Sequence, residues 1–83
     1  MTQPHTYSMT DWKVQMFAYL RERHGDSVTV SAEPTVGSVL QALASTGVSI
    51  EACRIAIGDE FAHAQDAIPI GSELSLIPPV SGG

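Results

Sequence analysis

The residues of this 83-residue chain best placed to do chemistry are its last six, Pro78-Pro79-Val80-Ser81-Gly82-Gly83. The reactive group they offer is no side chain but the carboxylate of Gly83. Two prolines fix φ and remove backbone donors, so a strand running into them stops and the chain leaves as an extended arm. Gly82 and Gly83 lack Cβ, so the terminal carboxylate fits a channel too narrow for any other residue. At about 3.3 Å per residue the arm reaches roughly 20 Å from Pro78. A frayed or linker-like end has the same two glycines. The strand-like Leu74-Ser75-Leu76-Ile77 and the rigid Pro-Pro step before them favour a presented reactive end.

The side chains offer little to compete with it. His5, His24 and His63 fall in a tail, a turn and a short strand, with no metal-ligand spacing between them. Cys53 alternates with Ile55 and Ile57, the position of a small core hydrophobe rather than a nucleophile. Ser72, Ser75 and Ser81 have no histidine and carboxylate neighbours that would make a nucleophilic triad. Asp59 and Glu60 sit at a turn, where solvated carboxylates are usual. No glycine-rich phosphate loop is present, so nucleotide chemistry would have to come from a partner.

The totals point the same way. Eighty-three residues make one domain, whose thin core leaves no room for a deep catalytic pocket. Nine acidic and four basic side chains give a net charge of −5, without the basic cluster that a phosphate backbone requires, so nucleic acid is not an expected partner. An acidic surface suits a protein partner with a basic groove, and suits simple solubility equally well. A single cysteine excludes an internal disulfide and any cysteine-based zinc site. With no apolar run of membrane-spanning length and no secretion signal, the expected setting is reducing and cytoplasmic, away from the membrane.

The elements that must position the arm are predicted as follows. Residues 1–11 read as a disordered lead-in, with Met9 a second candidate start, residues 12–77 as the folded domain and 78–83 as the extended tail. From Trp12, Val14, Met16, Ala18 and Leu20 alternate with Lys13, Gln15, Phe17 and Tyr19, which predicts one strand through Leu20. His24-Gly25-Asp26 turns the chain, and Ser27 to Ser31 completes a β-hairpin. Glu33-Pro34 breaks the strand and Thr35 caps a helix whose Val36, Val39, Leu40 and Leu43 share one face. Gly47 is its expected left-handed cap. Cys53 to Ile57 predicts a third strand, Phe61 to Ala64 a short fourth after the turn at Gly58-Asp59-Glu60, and Asp66 to Ile70 an irregular crossover. Glu73 to Ile77 is the last strand, after Gly71-Ser72. The order β-β-α-β-β-β buries itself only with the helix across one face of a mixed sheet, an α+β architecture. Phe17 and Ile77, with Phe61, then lie on the uncovered face, as an apolar patch of the kind that marks partner sites or equally as scattered surface hydrophobes, which are common.

The terminal Ile77-Pro78-Pro79-Val80-Ser81-Gly82-Gly83, the opening Lys13-Val14-Gln15-Met16-Phe17-Ala18 and the helix start Glu33-Pro34-Thr35-Val36 carry a resemblance. From Trp12 to Gly83 the chain resembles the small sulfur-carrier subunit of molybdopterin synthase, the MoaD type, within the MoaD/ThiS-like ubiquitin superfamily. The resemblance implies a β-grasp fold, ubiquitin-like, with a flexible Gly-Gly tail. It implies that an E1-like adenylating enzyme uses ATP to convert the Gly83 carboxylate into an acyl-adenylate, and that a sulfur donor displaces AMP to leave a thiocarboxylate. No cofactor is held by the carrier itself. The tail then enters the large synthase subunit, in a heterotetramer, and delivers sulfur to a cyclic pyranopterin precursor. By this match Gly83 is the covalent site and Gly82 lets the tail enter. Phe17, Phe61, Ile77, Pro78, Pro79, Val80 and Ser81 meet partners. The chain would thus be an enzyme subunit without catalytic side chains of its own.

Two departures from the family pattern fall in turns: Gly58 stands where an asparagine is frequent, and Gly71-Ser72 where Gly-Asp is frequent. Alternatives remain open at this stage. The same chemistry serves thiamine, cysteine or transfer-RNA thiolation, a ubiquitin-like modifier would instead end in an isopeptide bond to a lysine, and an adaptor would make no use of its glycines.

Overall fold

In a computed structural model, residues 9–79 are described and form seven elements. They are β1 (Thr10–Met16), α1 (Ala18–His24), β2 (Ser27–Ala32), α2 (Val36–Ser45), β3 (Arg54–Ile57), β4 (Glu60–Ala62) and β5 (Leu74–Ile77). The five strands make one mixed sheet in the order β2-β1-β5-β3-β4. β1 pairs antiparallel with β2 and parallel with β5, and β3 lies antiparallel to both β4 and β5. The α+β, ubiquitin-like β-grasp expectation holds. β1 begins at Thr10, opposite Ala32, so the folded domain starts two residues before Trp12. Residues 1–8 of the lead-in and 80–83 of the tail lie outside the described residues.

One face of the sheet is the core. Trp12, Val14 and Met16 of β1, Val30 and Ala32 of β2, Ile55 of β3 and Leu74 and Leu76 of β5 alternate inward against Val36, Val39 and Leu43 of α2. The Trp12 indole N–H donates to the Ala32 carbonyl at 3.0 Å, so the largest core side chain leaves no buried donor unpaired.

α2 starts and stops where its side chains say it must. Thr35 is extended, and its Oγ1 accepts from the Ser38 amide at 3.2 Å. At the other end Gly47 takes φ +99, its N–H donates to the Ala44 carbonyl and that of Val48 to the Leu43 carbonyl. This is a Schellman termination, closed by Val48 turning into the core. The crossover clamps the helix start. The Val36 and Gly37 amides donate to the Asp66 and Ala64 carbonyls, at 3.0 and 2.8 Å, and the Ile68 amide donates back to Pro34. Two of the donors that a helix N-terminus leaves unpaired are satisfied by the loop.

The first strand departs from expectation. β1 stops at Met16, and residues 18–24 form α1 instead of continuing the strand to Leu20. Period-two alternation cannot separate the two here, because Met16 and Leu20 are also four residues apart, one helical turn. Ala-Tyr-Leu-Arg-Glu-Arg-His is rich in helix formers. The Phe17 carbonyl accepts from the Leu20 and Arg21 amides, while Ala18 turns the corner at φ +53 and stays exposed. Leu20 still reaches the core, from a helix. Gly25, at φ +91, ends α1 by donating to the Arg21 carbonyl. Phe61 to Ala64 is likewise shorter than expected as a strand, because the chain after Ala62 bends through the His63–Asp66 turn to reach α2.

Gly37 lies in the first turn of α2, where alanine would ordinarily stabilise by about 1 kcal/mol. Its added Cβ would sit 3.2 Å from the Ala64 carbonyl oxygen, a backbone atom that the clamp holds in place. Gly37→Ala is therefore expected to lower the melting temperature rather than raise it, as thermal denaturation followed by circular dichroism will show.

Candidate functional site

The face of the sheet turned away from α2 carries the site. β5 lies in the middle of the sheet, and its partners fix what surrounds its end. Met16 of β1 is level with Leu76, so Phe17, still extended at φ −133, follows level with Ile77. Arg54 of β3 pairs with Ile77 from the other side. In the row before, Gln15, Ser75, Ala56 and Phe61 succeed one another across four strands. Phe17 and Ile77 thus share the open face at the end of β5, where Pro78 and Pro79 begin the tail, and Phe61 lies on the same face one row back and two strands across. Phe17 is 42% and Phe61 53% exposed, while Ile77 and Pro78 are half-buried and Pro79 is exposed. The structure places the three apolar residues singled out from the sequence on one face, Phe17 and Ile77 on neighbouring strands and Phe61 beyond Arg54. Val80, Ser81, Gly82 and Gly83 lie outside the described residues.

Sequence reasoning missed Arg54. Its guanidinium lies over the Phe61 ring, 4.2 Å from the centroid, a cation–π contact that fixes the phenyl ring and places a charge beside the tail's root. The signal was available only as register: Arg54 and Phe61 lie seven apart in sequence, and pairing of Ala56 with Phe61 is what makes them diagonal neighbours.

The other polar groups do not assemble. Among the described residues no three His, Cys, Asp or Glu side chains come together as a metal site, and no helix is long and apolar enough to cross a membrane. His24 ends α1 and His63 follows β4, on different elements; His5 lies outside the described residues. Asp59 and Glu60 are exposed at the β3–β4 turn. Cys53 is half-buried beside the core, and its thiol donates to the Ser49 carbonyl at 3.6 Å. Burial pushes that thiol's pKa up, which disfavours the thiolate.

A β-grasp sheet that delivers its last strand to the centre and sends a Pro-Pro tail out beside an apolar face defines a ubiquitin-like carrier domain. The chain belongs to the ThiS family, whose model matches residues 14–83. It is a small ubiquitin-like sulfur carrier in class, and sulfur carriers of this family work with E1-like and other partner enzymes. Among solved structures, SAMP1 from Haloferax volcanii superposes with a TM-score of 0.71 at 30% identity, covering 89% of this chain and 100% of that one. No curated protein matches the chain significantly.

The raised thiol pKa has a direct readout. Alkylation of Cys53 by iodoacetamide at neutral pH is expected to be slower than that of a free cysteine, with a rate still climbing as pH rises past the ordinary thiol pKa. Labelling at free-cysteine speed at pH 7 would contradict the half-buried, hydrogen-bonded thiol.

Proposed function

We propose that the chain is the sulfur-carrier subunit of a molybdopterin synthase. An E1-like enzyme joins the Gly83 carboxylate to AMP, with pyrophosphate leaving ATP. A sulfur donor then displaces AMP, leaving a terminal thiocarboxylate. The activation is chemically necessary, because a free carboxylate is a poor electrophile without a good leaving group. In the large subunit the thiocarboxylate sulfur attacks the pyranopterin precursor. Water then hydrolyses the resulting acyl–sulfur bond, which returns the Gly83 carboxylate and leaves the sulfur on the pterin. Two loaded carriers supply the two sulfurs of a dithiolene. The chain contributes no catalytic side chain; Gly82 admits the tail, and Phe17, Phe61, Ile77 and Pro78 to Ser81 dock it.

One observation carries this reading: the central strand ends at Ile77 and releases Pro78-Pro79 beside an apolar face, ahead of Val80-Ser81-Gly82-Gly83. The ThiS-family match supports the carrier chemistry and suits a second reading as well, in which the same thiocarboxylate serves thiamine, cysteine or transfer-RNA thiolation. In a third reading the adenylated Gly83 is passed to a target lysine as an isopeptide.

Incubation with the adenylating enzyme, ATP and a sulfur source is expected to raise the intact mass by the difference between sulfur and oxygen, on the C-terminal peptide. Deleting Gly83 should abolish that gain with the melting temperature unchanged. Loading that survives the deletion would exclude Gly83 as the site. Conversion of the pterin precursor by the loaded carrier and a large synthase subunit separates the molybdopterin reading from the other thiolations, and isopeptide-linked lysines in place of a mass gain would favour the modifier.

The open face gives a second test. Phe61→Ala removes an exposed ring, so stability should fall by no more than about 1 kcal/mol. Affinity for the adenylating enzyme, measured by titration calorimetry, should fall about tenfold or more if the ring is a docking anchor. Unchanged affinity would remove Phe61 from the docking face.

A further inference from the structure

The two edges of the sheet are built differently. β4 is three residues long, begins with Glu60 and is flanked by Asp59 and His63, the short and polar form that discourages strand addition. β2, at the opposite edge, is six residues long and reads Ser-Val-Thr-Val-Ser-Ala. It has no charge, no proline and high β-propensity, the composition of a strand that pairs when offered a partner.

The phase of the β1–β2 ladder shows which groups it offers. The Met16 amide donates to the Asp26 carbonyl at 2.9 Å, which makes that pair a hydrogen-bonded one. Alternation along the antiparallel register then makes Val14–Val28, Trp12–Val30 and Thr10–Ala32 the other hydrogen-bonded pairs. Ser27, Thr29 and Ser31 are left with their N–H and C=O groups directed outward. β1 is the one strand beside β2 among the described residues, so no second strand there takes up these groups.

Ser27-Val28-Thr29-Val30-Ser31 is also a palindrome about Thr29. A two-fold axis through Thr29 sets a second β2 antiparallel to the first, with Thr29 facing Thr29, Ser27 facing Ser31 and Val28 facing Val30. Every outward residue then lies in a hydrogen-bonded pair with an outward residue of the second copy, so the parity of the ladder and the palindrome agree. Cross-strand Thr–Thr, Ser–Ser and Val–Val neighbours are favourable combinations.

The strand and helix at this edge carry no charged side chain of their own; Asp26 and Glu33 flank β2, Glu33 borders the groove beside it, and Asp11 accepts from the Ser31 hydroxyl. Residues 27–32 and 34–50 contain no Asp, Glu, Lys, Arg or His, in a chain that is 16% charged. That span includes all of α2, whose Ser38, Gln41 and Ser45 border an open groove beside Ser31 and Ala32 at this edge. Lys13, the nearest cation on the open face, is level with Thr29 one strand further in. Across the two-fold, three strand spacings hold the two Lys13 residues about 14 Å apart, beyond the roughly 8 Å screening length at physiological salt.

We propose that β2 is a self-association edge, and that two copies of this chain join through an antiparallel β2–β2 pair centred on Thr29 to give a continuous ten-stranded sheet. The pairing leaves the other end of the strand order, with Arg54, Phe61 and the tail's root, free for the partners described above. An edge pair this short buries less than the roughly 1,200 Å² of a standard interface, so the dimer is weak and concentration-dependent.

Sedimentation equilibrium of the full chain from about 10 µM to about 1 mM, which brackets a weak dimer, should show a monomer–dimer transition. Amide exchange over the same range should protect Ser27, Thr29 and Ser31 only at high concentration, with Val28 and Val30 protected throughout. Thr29→Lys and Thr29→Glu each place like charges on the two-fold and should weaken the dimer about fivefold or more. Mixing the two should restore a heterodimer tighter than either variant alone, and because Thr29 is exposed, both should melt close to the parent. A monomer at every concentration overturns the proposal. So does a dimer unaffected by Thr29→Lys and Thr29→Glu, which would place the contact elsewhere, such as the Phe17–Phe61 face. Protection of Ser27, Thr29 and Ser31 that does not vary with concentration overturns it too, since the edge would then be covered within one copy.

Discussion

Everything in this structure depends on the insertion of β5 between β1 and β3. Residues 74–77 are the last strand in sequence and the middle strand in space. Leu74 and Leu76 are fully buried there, each level with a buried neighbour on a flanking strand. Without β5 the sheet is two separate pieces, a β1–β2 pair and a β3–β4 pair, and neither buries enough apolar surface to stand alone. Placing the final strand at the centre also fixes the root of the tail. Pro78 emerges between the end of β1 and the start of β3, so its surroundings are chosen by register rather than by nearby sequence.

That distinction explains what could be read from the residues. α2 was legible in full, because its cap, its apolar stripe and its terminating glycine are all local signals, and Thr35, Leu43 and Gly47 do what their types require. The strands were legible as strands, and the inward set Val14, Met16, Leu74 and Leu76 followed from alternation. α1 was not, since Val14, Met16, Ala18 and Leu20 satisfy a period of two, and only the hydrogen bonds at Phe17 show where the period changes. The apolar patch was legible from the parity of Phe17 and Ile77. Arg54 over Phe61 was not, because it arises from pairing across a turn whose register a single sequence does not specify.

The two faces of the sheet divide the labour. The inner face, closed by α2 and Leu20, supplies stability, and among the described residues no buried side-chain nitrogen or oxygen lacks a partner. Among the described residues nothing covers the outer face, and its exposed phenyl rings and guanidinium lie near the point where Pro78 leaves the sheet. Chemistry is thereby moved off the domain: the body presents and orients, while bond making is left to whichever enzyme receives the tail.

The parallel pairing of β1 with β5 has a mechanical consequence. Thr10 begins β1 and Ile77 finishes β5, so the two ends of the described chain leave from opposite ends of adjacent, parallel strands. A pull on the tail against the N-terminal side loads the Val14–Leu74, Gln15–Ser75 and Met16–Leu76 steps together, in shear, instead of opening them one at a time. Force applied at Pro79 therefore meets this seam lengthwise, the direction in which its hydrogen bonds must break together, rather than peeling it from one end.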